Sequence, residues 1–494
     1  MEVVVRRALC LACFSLASVP ALAQTVDGQG AVALTDTLSR YVSRTAFDSG
    51  VLKVAADGDV YRLDVNFNAL AGLFPLPKGL KLEISPYALR LKPAADGTWQ
   101  VDGALAPDGS FVADLPDTPR QSVQWSIADG RFSGVFDPAL TAFSSASGSH
   151  GTIKLQTEDA NGKGTTSYGA GTFVMSATAA AGGGVDFTSR QTMADYSDTR
   201  SFMDPGANVS FPVFIKAGSV SLEADGRGVK SRPLLDLLAF GVANADPERI
   251  KANQAQLKSL LLAALPLWDH VSGTYAFSDF SVTTPFGLGK AGRIDASVGM
   301  DGLRQAGSIG YGFKLSNVAV SSMFMPAWAI PLIPTEIDIN FGGTNIDLDQ
   351  PAREIIASLD LTQDPPVPES VTDQIAARFM ANPPSFTLSR SSVRNAEMGI
   401  VVEGEMTFAG GQPEMRGVVE AEGYDKAVAA LQAAAQSDPQ FADLIPAAML
   451  VKGYAKTLAD GRLQWTVDAR SDGSVLVNGV MVKPADPVAP ETPQ

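Results

Sequence analysis

From Val51 to about Phe214 apolar and polar residues alternate almost without interruption, and this period of two limits the chain to a sheet. Trp99-Gln100-Val101-Asp102, Trp125-Ser126-Ile127 and Ile153-Lys154-Leu155-Gln156 keep the alternation between turn signals such as Asp57-Gly58, Asp96-Gly97 and Asp108-Gly109. Such runs are strands of an antiparallel sheet with one apolar and one wet face. Charged residues make up 18% of the chain, below the share of ordinary domains, and the 46 glycines suit short strands joined by tight turns. The expected fold is β-rich α+β, with a long, curved, mostly antiparallel sheet or sheets of alternating strands, a few amphipathic helices and an internal duplication.

The duplication rests on two echoes. Tyr61 to Ser85 and Tyr311 to Phe341 each open on a Tyr in an alternating strand, reach a Phe at the same distance (Phe74, Phe324), turn a Pro-Leu corner and enter a second alternating strand. The second echo runs strand, helix, Asp-Pro, helix, strand. It starts at Gly218, with helices over 233–243 and from Asp246-Pro247 to about Leu265, and again at Gly417, with helices over 425–435 and from Asp438-Pro439. In both places Asp would cap the helix and Pro would take its first position, where a missing N–H costs nothing. Leu34, Leu38, Tyr41 and Val42 predict one further amphipathic helix near the start, and Val371, Ile375 and Phe379 a short one after Pro365-Pro366-Val367-Pro368.

Arg6 and Arg7, the apolar run Ala8 to Val19 and Ala21-Leu22-Ala23 read as a cleaved export signal, which places the mature protein in the periplasm with Gln24 first. Acylation at Cys13 is the less favoured alternative. Both cysteines, Cys10 and Cys13, fall inside this signal, so the mature chain is expected to carry no thiol. The expected organisation is a signal over 1–23, a β-rich half with a helix pair over 24–284, a second such half over 285–483 and a Pro-rich disordered tail over 484–494. A net charge of −15 argues against nucleic acid and against electrostatic docking on anionic lipid. No membrane span is expected after cleavage: Leu315 to Thr335 carries no charge, but Pro326, Pro331 and Pro334 interrupt it.

Gly417 to Ala435 and Gly461 to Gly479 carry a resemblance. In these segments the chain resembles exported alphaproteobacterial proteins grouped as domain of unknown function 2125, and more distantly it is similar to AsmA-like and YdgA-like envelope proteins. That resemblance implies an envelope location and a long, mostly antiparallel sheet, and it brings no catalytic residues.

Chemistry-bearing motifs are sparse. His150 reads as a loop histidine and His270 as a helix-end histidine beside Asp269, with no G-x-S-x-G and no H-E-x-x-H in the mature chain. Gly287 to Gly292 matches a dinucleotide fingerprint but precedes a strand-like run, so it reads as a hairpin turn. Asp159 to Gly164 begins like a calcium loop and then sets Lys163 where an oxygen ligand belongs. Glu403, Glu405, Glu420 and Glu422 share one sheet face; they could bind a divalent cation or act as acid and base, and a solvated charged face with Arg416 is the favoured reading. No cofactor is expected.

The functional expectation rests on a mismatch, because many alternating strands offer an apolar face and few helices are present to cover it. The protein is expected to be a non-catalytic envelope protein that binds a lipid or another apolar ligand or partner on that face or groove. A periplasmic scaffold with a closed core is the alternative, and a hydrolase using surface carboxylates a second. Met323, Phe324, Met325, Trp328, Ile330, Leu332 and Ile333, on a proline-stiffened corner, form the expected lipid- or partner-contacting surface.

Overall fold

The computed structural model describes residues 26–70, 79–116, 118–160, 162–204, 209–409 and 412–486. The residues read as an export signal, the Phe74 to Pro77 corner of the first echo, Asn161 and most of the C-terminal tail lie outside them. About half of the chain is strand and a quarter helix, in a large, mostly antiparallel, open and curved sheet with several helices. The alternation therefore reads correctly as a β-rich α+β fold. Two compact units divide the chain: unit 1 holds Met1–Phe277, Ser281–Pro285 and Ile355–Val367, and unit 2 holds Ser278–Phe280, Phe286–Glu354 and Pro368–Gln494.

Unit 1 opens with helix α1 (Gly28–Val42) and the short α2 (Arg44–Asp48). The Asp27 carboxylate accepts from the Gly30 N–H at 2.8 Å and caps α1. Ala31, Leu34, Leu38 and Tyr41 form its buried stripe. Strands follow in order: β1 (Leu52–Asp57), β2 (Val60–Val65), β3 (Leu80–Ile84), β4 (Tyr87–Pro93), β5 (Trp99–Ala104), β6 (Gly109–Ala113) and β7 (Gln121–Ile127). Next come β8 (Arg131–Asp137), β9 (Ala142–His150), β10 (Ile153–Asp159), β11 (Gly162–Tyr168), β12 (Gly171–Ala179), β13 (Val185–Asp204) and β14 (Val209–Val229). Three helices, α3 (Ser231–Ala243), α4 (Pro247–Ala252) and α5 (Gln254–Ala264), then lead to β15 (His270–Thr284).

The pairing makes these strands a meander with a crease. One row runs β1-β2-β4-β5-β8-β9-β12 and ends on the first half of β13. A second row runs β3-β6-β7-β10-β11 and ends on the second half of β13, which β14 follows along its length. Thus β3 with β4, β5 with β6, β7 with β8, β9 with β10 and β11 with β12 are single long strands, each broken once. The breaks line up and stay stitched: Ser85 N–H donates to Asp108 O (2.8 Å), Leu105 N–H to Gly130 O (2.9 Å), Ala128 N–H to Thr152 O (3.0 Å) and Gly169 N–H to Ala194 O (2.7 Å). At the crease Asp129 and Asp195 both take φ of 50°, a left-handed conformation that aspartate tolerates and that a bulge uses to bend a strand.

Helices α1 and α3 cover the first row. Tyr61, Leu91, Trp99, Val101 and Phe136 are buried beneath Leu34, Leu38 and Leu235. A methyl group on Gly30 would come within 1.9 Å of the Tyr61 Oη, so only glycine lets α1 approach this closely. Gly30→Ala should therefore destabilise unit 1 by about 1–3 kcal/mol through overpacking, against a helix-propensity gain of about 1 kcal/mol. A thermal melt checks it, and a raised Tm would show that α1 does not sit on Tyr61. On β13 the Asp198 side chain is only 4% exposed; it accepts from Thr166 Oγ1 at 2.7 Å and from Arg200 Nε at 2.8 Å. Burial, with Asp198 nearby, pushes the Tyr196 hydroxyl up to about 12, so it stays neutral at physiological pH.

Unit 2 is built from β16 (Gly287–Asp301), β17 (Gly307–Ser316), β18 (Ala319–Ser322), β19 (Glu336–Ile346), β20 (Ser385–Arg394), β21 (Gly399–Ala409) and β22 (Gln412–Glu422). Strands β23 (Lys456–Thr457), β24 (Leu463–Ala469), β25 (Val475–Val477) and β26 (Val480–Lys483) complete it. They pair as β16-β17-β19-β20-β21-β22-β24-β25-β26, all antiparallel. Helices α6 (Asp349–Ser358) and α7 (Glu369–Ala381) are inserted before β20, and α8 (Tyr424–Ser437) and α9 (Leu444–Gly453) before β23. Asp246 and Asp438 do cap with Pro in the next position, accepting from Glu248 N–H (2.9 Å) and Gln440 N–H (3.0 Å). The second cap, however, starts only the 3-10 turn Pro439–Phe441, and α9 begins afresh at Leu444, which puts Pro446 in a first turn, where its missing N–H is harmless.

The strands of the Tyr echo are paired differently in the two units. In unit 2, β17 lies directly against β19, with Tyr311 opposite Phe341. In unit 1, β2 pairs with β1 and β4, while β3 pairs with β6. Tyr61 is fully buried under α1, whereas Tyr311 is 41% exposed.

Candidate functional site

Alternation along the strands of unit 2 gathers one apolar face. Val298, Tyr311, Phe341 and Leu388 stand in register across β16, β17, β19 and β20. In a neighbouring row Phe386, Met406 and Met415 cross β20, β21 and β22, and Val393 opposes Ile400 further along. Among the described residues, helices cover one corner of this face. There Ala421, Leu463 and Trp465 are buried under α8 and α9, with Tyr424 5.6 Å from Trp465 and the Trp465 Nε1–H donating to Val451 O at 2.8 Å. Elsewhere Phe341 and Phe386 are each 50% exposed, and Phe313, Val393, Ile400 and Met415 are exposed as well. Tyr311 and Phe341 stack at 5.4 Å, so the exposed rings are ordered against one another. Single exposed apolar residues are ordinary, but a contiguous patch of them marks a place where something binds.

The proline corner sits in the same unit between β18 and β19. Its Pro326 starts the 3-10 turn Ala327–Leu332. Two side chains hold the corner. Trp328 packs edge-on against Phe441 at 5.2 Å, and Asn395 Nδ2 donates to Pro331 O (2.8 Å) and Ile333 O (3.2 Å). Trp328, Met325 and Ile333 are thereby half-buried. Met323 (72%), Phe324 (73%), Ile330 and Leu332 point into solvent, with Phe324 leaning on Phe286 at 5.9 Å. The seven residues expected to form one surface thus divide into an anchored set and an exposed set. Helix α9 adds exposed Leu444, Met449, Leu450 and Val451, which the sequence reading missed. The signal was there in Leu444 to Val451, an uncharged helix with apolar residues all round.

No family model, curated protein or solved structure matches this chain.

The remaining candidates are tied up by their neighbours. Glu420 is bracketed by Arg390 (3.5 Å) and Arg462, and it accepts from Gln464 Nε2 at 3.1 Å. Glu403 lies 3.9 Å from Arg390, and Glu405 stands opposite Arg416. These carboxylates belong to a charged sheet face, and among the described residues no group of three acidic or histidine side chains could hold a metal ion. His150 ends β9 and is not in a loop, its Nδ1 2.7 Å from Gly151 O, and His270 opens β15 and does not close a helix. Gly287 to Gly292 lies within β16, because the turn falls at Pro285-Phe286. No described helix is long and apolar enough to cross a membrane.

Proposed function

We propose that the protein is a non-catalytic cell-envelope protein that holds a lipid or another apolar ligand or partner on the open sheet face of unit 2. The observation that carries this reading is the contiguous patch of half-exposed aromatic and aliphatic side chains in two neighbouring rows, around Tyr311 and Phe341 and around Phe386. A scaffold with a closed core would bury those rings, since each large apolar side chain left in water forgoes about 1.5–3 kcal/mol. The signal reading of the first 23 residues and the resemblance over Gly417 to Ala435 and Gly461 to Gly479 support the envelope location. The exposed half of the corner, Met323, Phe324, Ile330 and Leu332, would meet the membrane or partner from which the ligand arrives.

Solvent extraction of the purified protein followed by mass spectrometry tests the reading. Wild-type protein should release a stoichiometric lipid. Phe341→Asp with Phe386→Asp should release none, while its Tm stays within a few degrees because the replaced rings are half in water already. A wild-type extract free of apolar molecules, from protein taken from its own envelope, would sink the lipid-holding reading.

A further inference from the structure

The wet side of unit 1 carries a second feature. Along the crease, a groove enclosing about 870 Å³ opens on the polar face of β3, β6, β7 and β10. The strand register sets Glu83, Ser110, Gln124 and Gln156 in one row, one side chain per strand, and Ser126 beside Lys154 in the next. Neighbouring strands lie about 4.8 Å apart, so the row presents a polar group at each such step.

These groups are uncommitted. Among the described residues none of the six side chains makes a hydrogen bond or ion pair. Their neighbours on β12, β13, β14 and β15 behave otherwise, although a groove runs there too. Ser176 bonds Thr188 (3.0 Å), Arg190 pairs with Glu223 (2.8 Å) and Ser272 donates to Asp225 (2.6 Å). The first groove therefore offers free donors and acceptors where the second satisfies its own.

The lining narrows the ligand. An apolar molecule would strand six polar side chains, and desolvating them unpaired is costly. A polyanion would meet one cation, Lys154, against two carboxylates, Glu83 and Asp108. Two primary amides and two hydroxyls, each able to donate and accept, suit a ligand rich in hydroxyls and amides, and a lone lysine suits an occasional carboxylate. A sugar chain laid across the strands repeats on the same scale as the strand spacing. We propose that this groove binds an extended glycan of acetamido sugars bearing carboxylates.

Co-sedimentation of the full chain with purified peptidoglycan sacculi tests the proposal. Wild-type protein should sediment, soluble acetamido-sugar oligomers should compete, and Gln124→Ala with Gln156→Ala should weaken retention by about tenfold or more, the loss of two ligand hydrogen bonds. Ser126→Ala serves as a second variant, and Tm is followed for each, so that a folding defect is separated from a binding defect. Absence of wild-type sedimentation, no competition, or full retention by the folded double variant overturns the proposal. None of these outcomes depends on whether unit 2 carries lipid.

Discussion

Trp99→Ala should cost unit 1 about 3–5 kcal/mol, the largest single loss expected in the molecule. Trp99 is fully buried; its ring lies 6.1 Å from Tyr61, and across the sheet it pairs with Phe136. Removing it leaves a cavity whose walls, the sheet and α1, are fixed by backbone bonds and cannot close. Urea unfolding followed by fluorescence and circular dichroism measures the change. Trp99→Phe separates two contributions. The buried indole N–H meets no acceptor among the described residues, so phenylalanine removes an unpaired donor while keeping most of the volume. It should cost under about 1.5 kcal/mol. Equal losses for both variants would mean that the indole N–H is satisfied and that packing is not what holds the site.

Met323→Glu with Phe324→Glu should reduce association with neutral phosphatidylcholine vesicles by about a hundredfold and leave Tm unchanged. Both side chains are more than 70% exposed, so the fold gains little from them. Burying two such chains in an interface is worth about 3–4 kcal/mol, and 1.4 kcal/mol is a factor of ten. Trp328→Asp serves as the structural control. Trp328 packs on Phe441 and is half-buried, so its replacement should lower Tm as well as binding. If the glutamate pair binds vesicles like wild type, the corner has no part in membrane contact. If Trp328→Asp melts like wild type, the anchoring role of Phe441 is wrong.

Strands were legible in the sequence wherever alternation was strict. Trp99 to Asp102, Trp125 to Ile127 and Ile153 to Gln156 lie in β5, β7 and β10. Caps were legible too, because Asp-Pro acts within one turn; how far the next helix runs depends on later residues such as Pro446. Partner choice was less accessible. Tyr61 and Tyr311 sit in similar local sequence, yet only one lies under a helix, and the deciding residue is Gly30, which is distant in sequence and unremarkable until α1 is docked. The candidate site was legible as an imbalance between apolar strand faces and helices. It was not legible as an address, because alternation marks a face as apolar without saying whether a helix returns to cover it. The corner's seven residues looked alike as a string and were sorted only by Phe441 and Asn395, over 60 positions downstream.

The crease in unit 1 also decides which changes of chain length the unit can absorb. The apolar positions are even-numbered in β3 (Leu80, Leu82, Ile84) and odd in β4 (Leu89, Leu91), odd in β7 (Val123, Trp125, Ile127) and even in β8 (Phe132, Phe136). These two long strands thus slip phase by one residue where they bend, and the residues at the bend supply that slip. Deleting Asp129 alone would put the apolar residues of β7 and β8 on a single parity and so remove the bulge and its bend, whereas a residue added at the hairpin over 180–184 changes no strand's phase. Insertions and deletions should therefore gather at the outer hairpins of this meander and leave the line through Asp108, Asp129 and Asp195 at constant length.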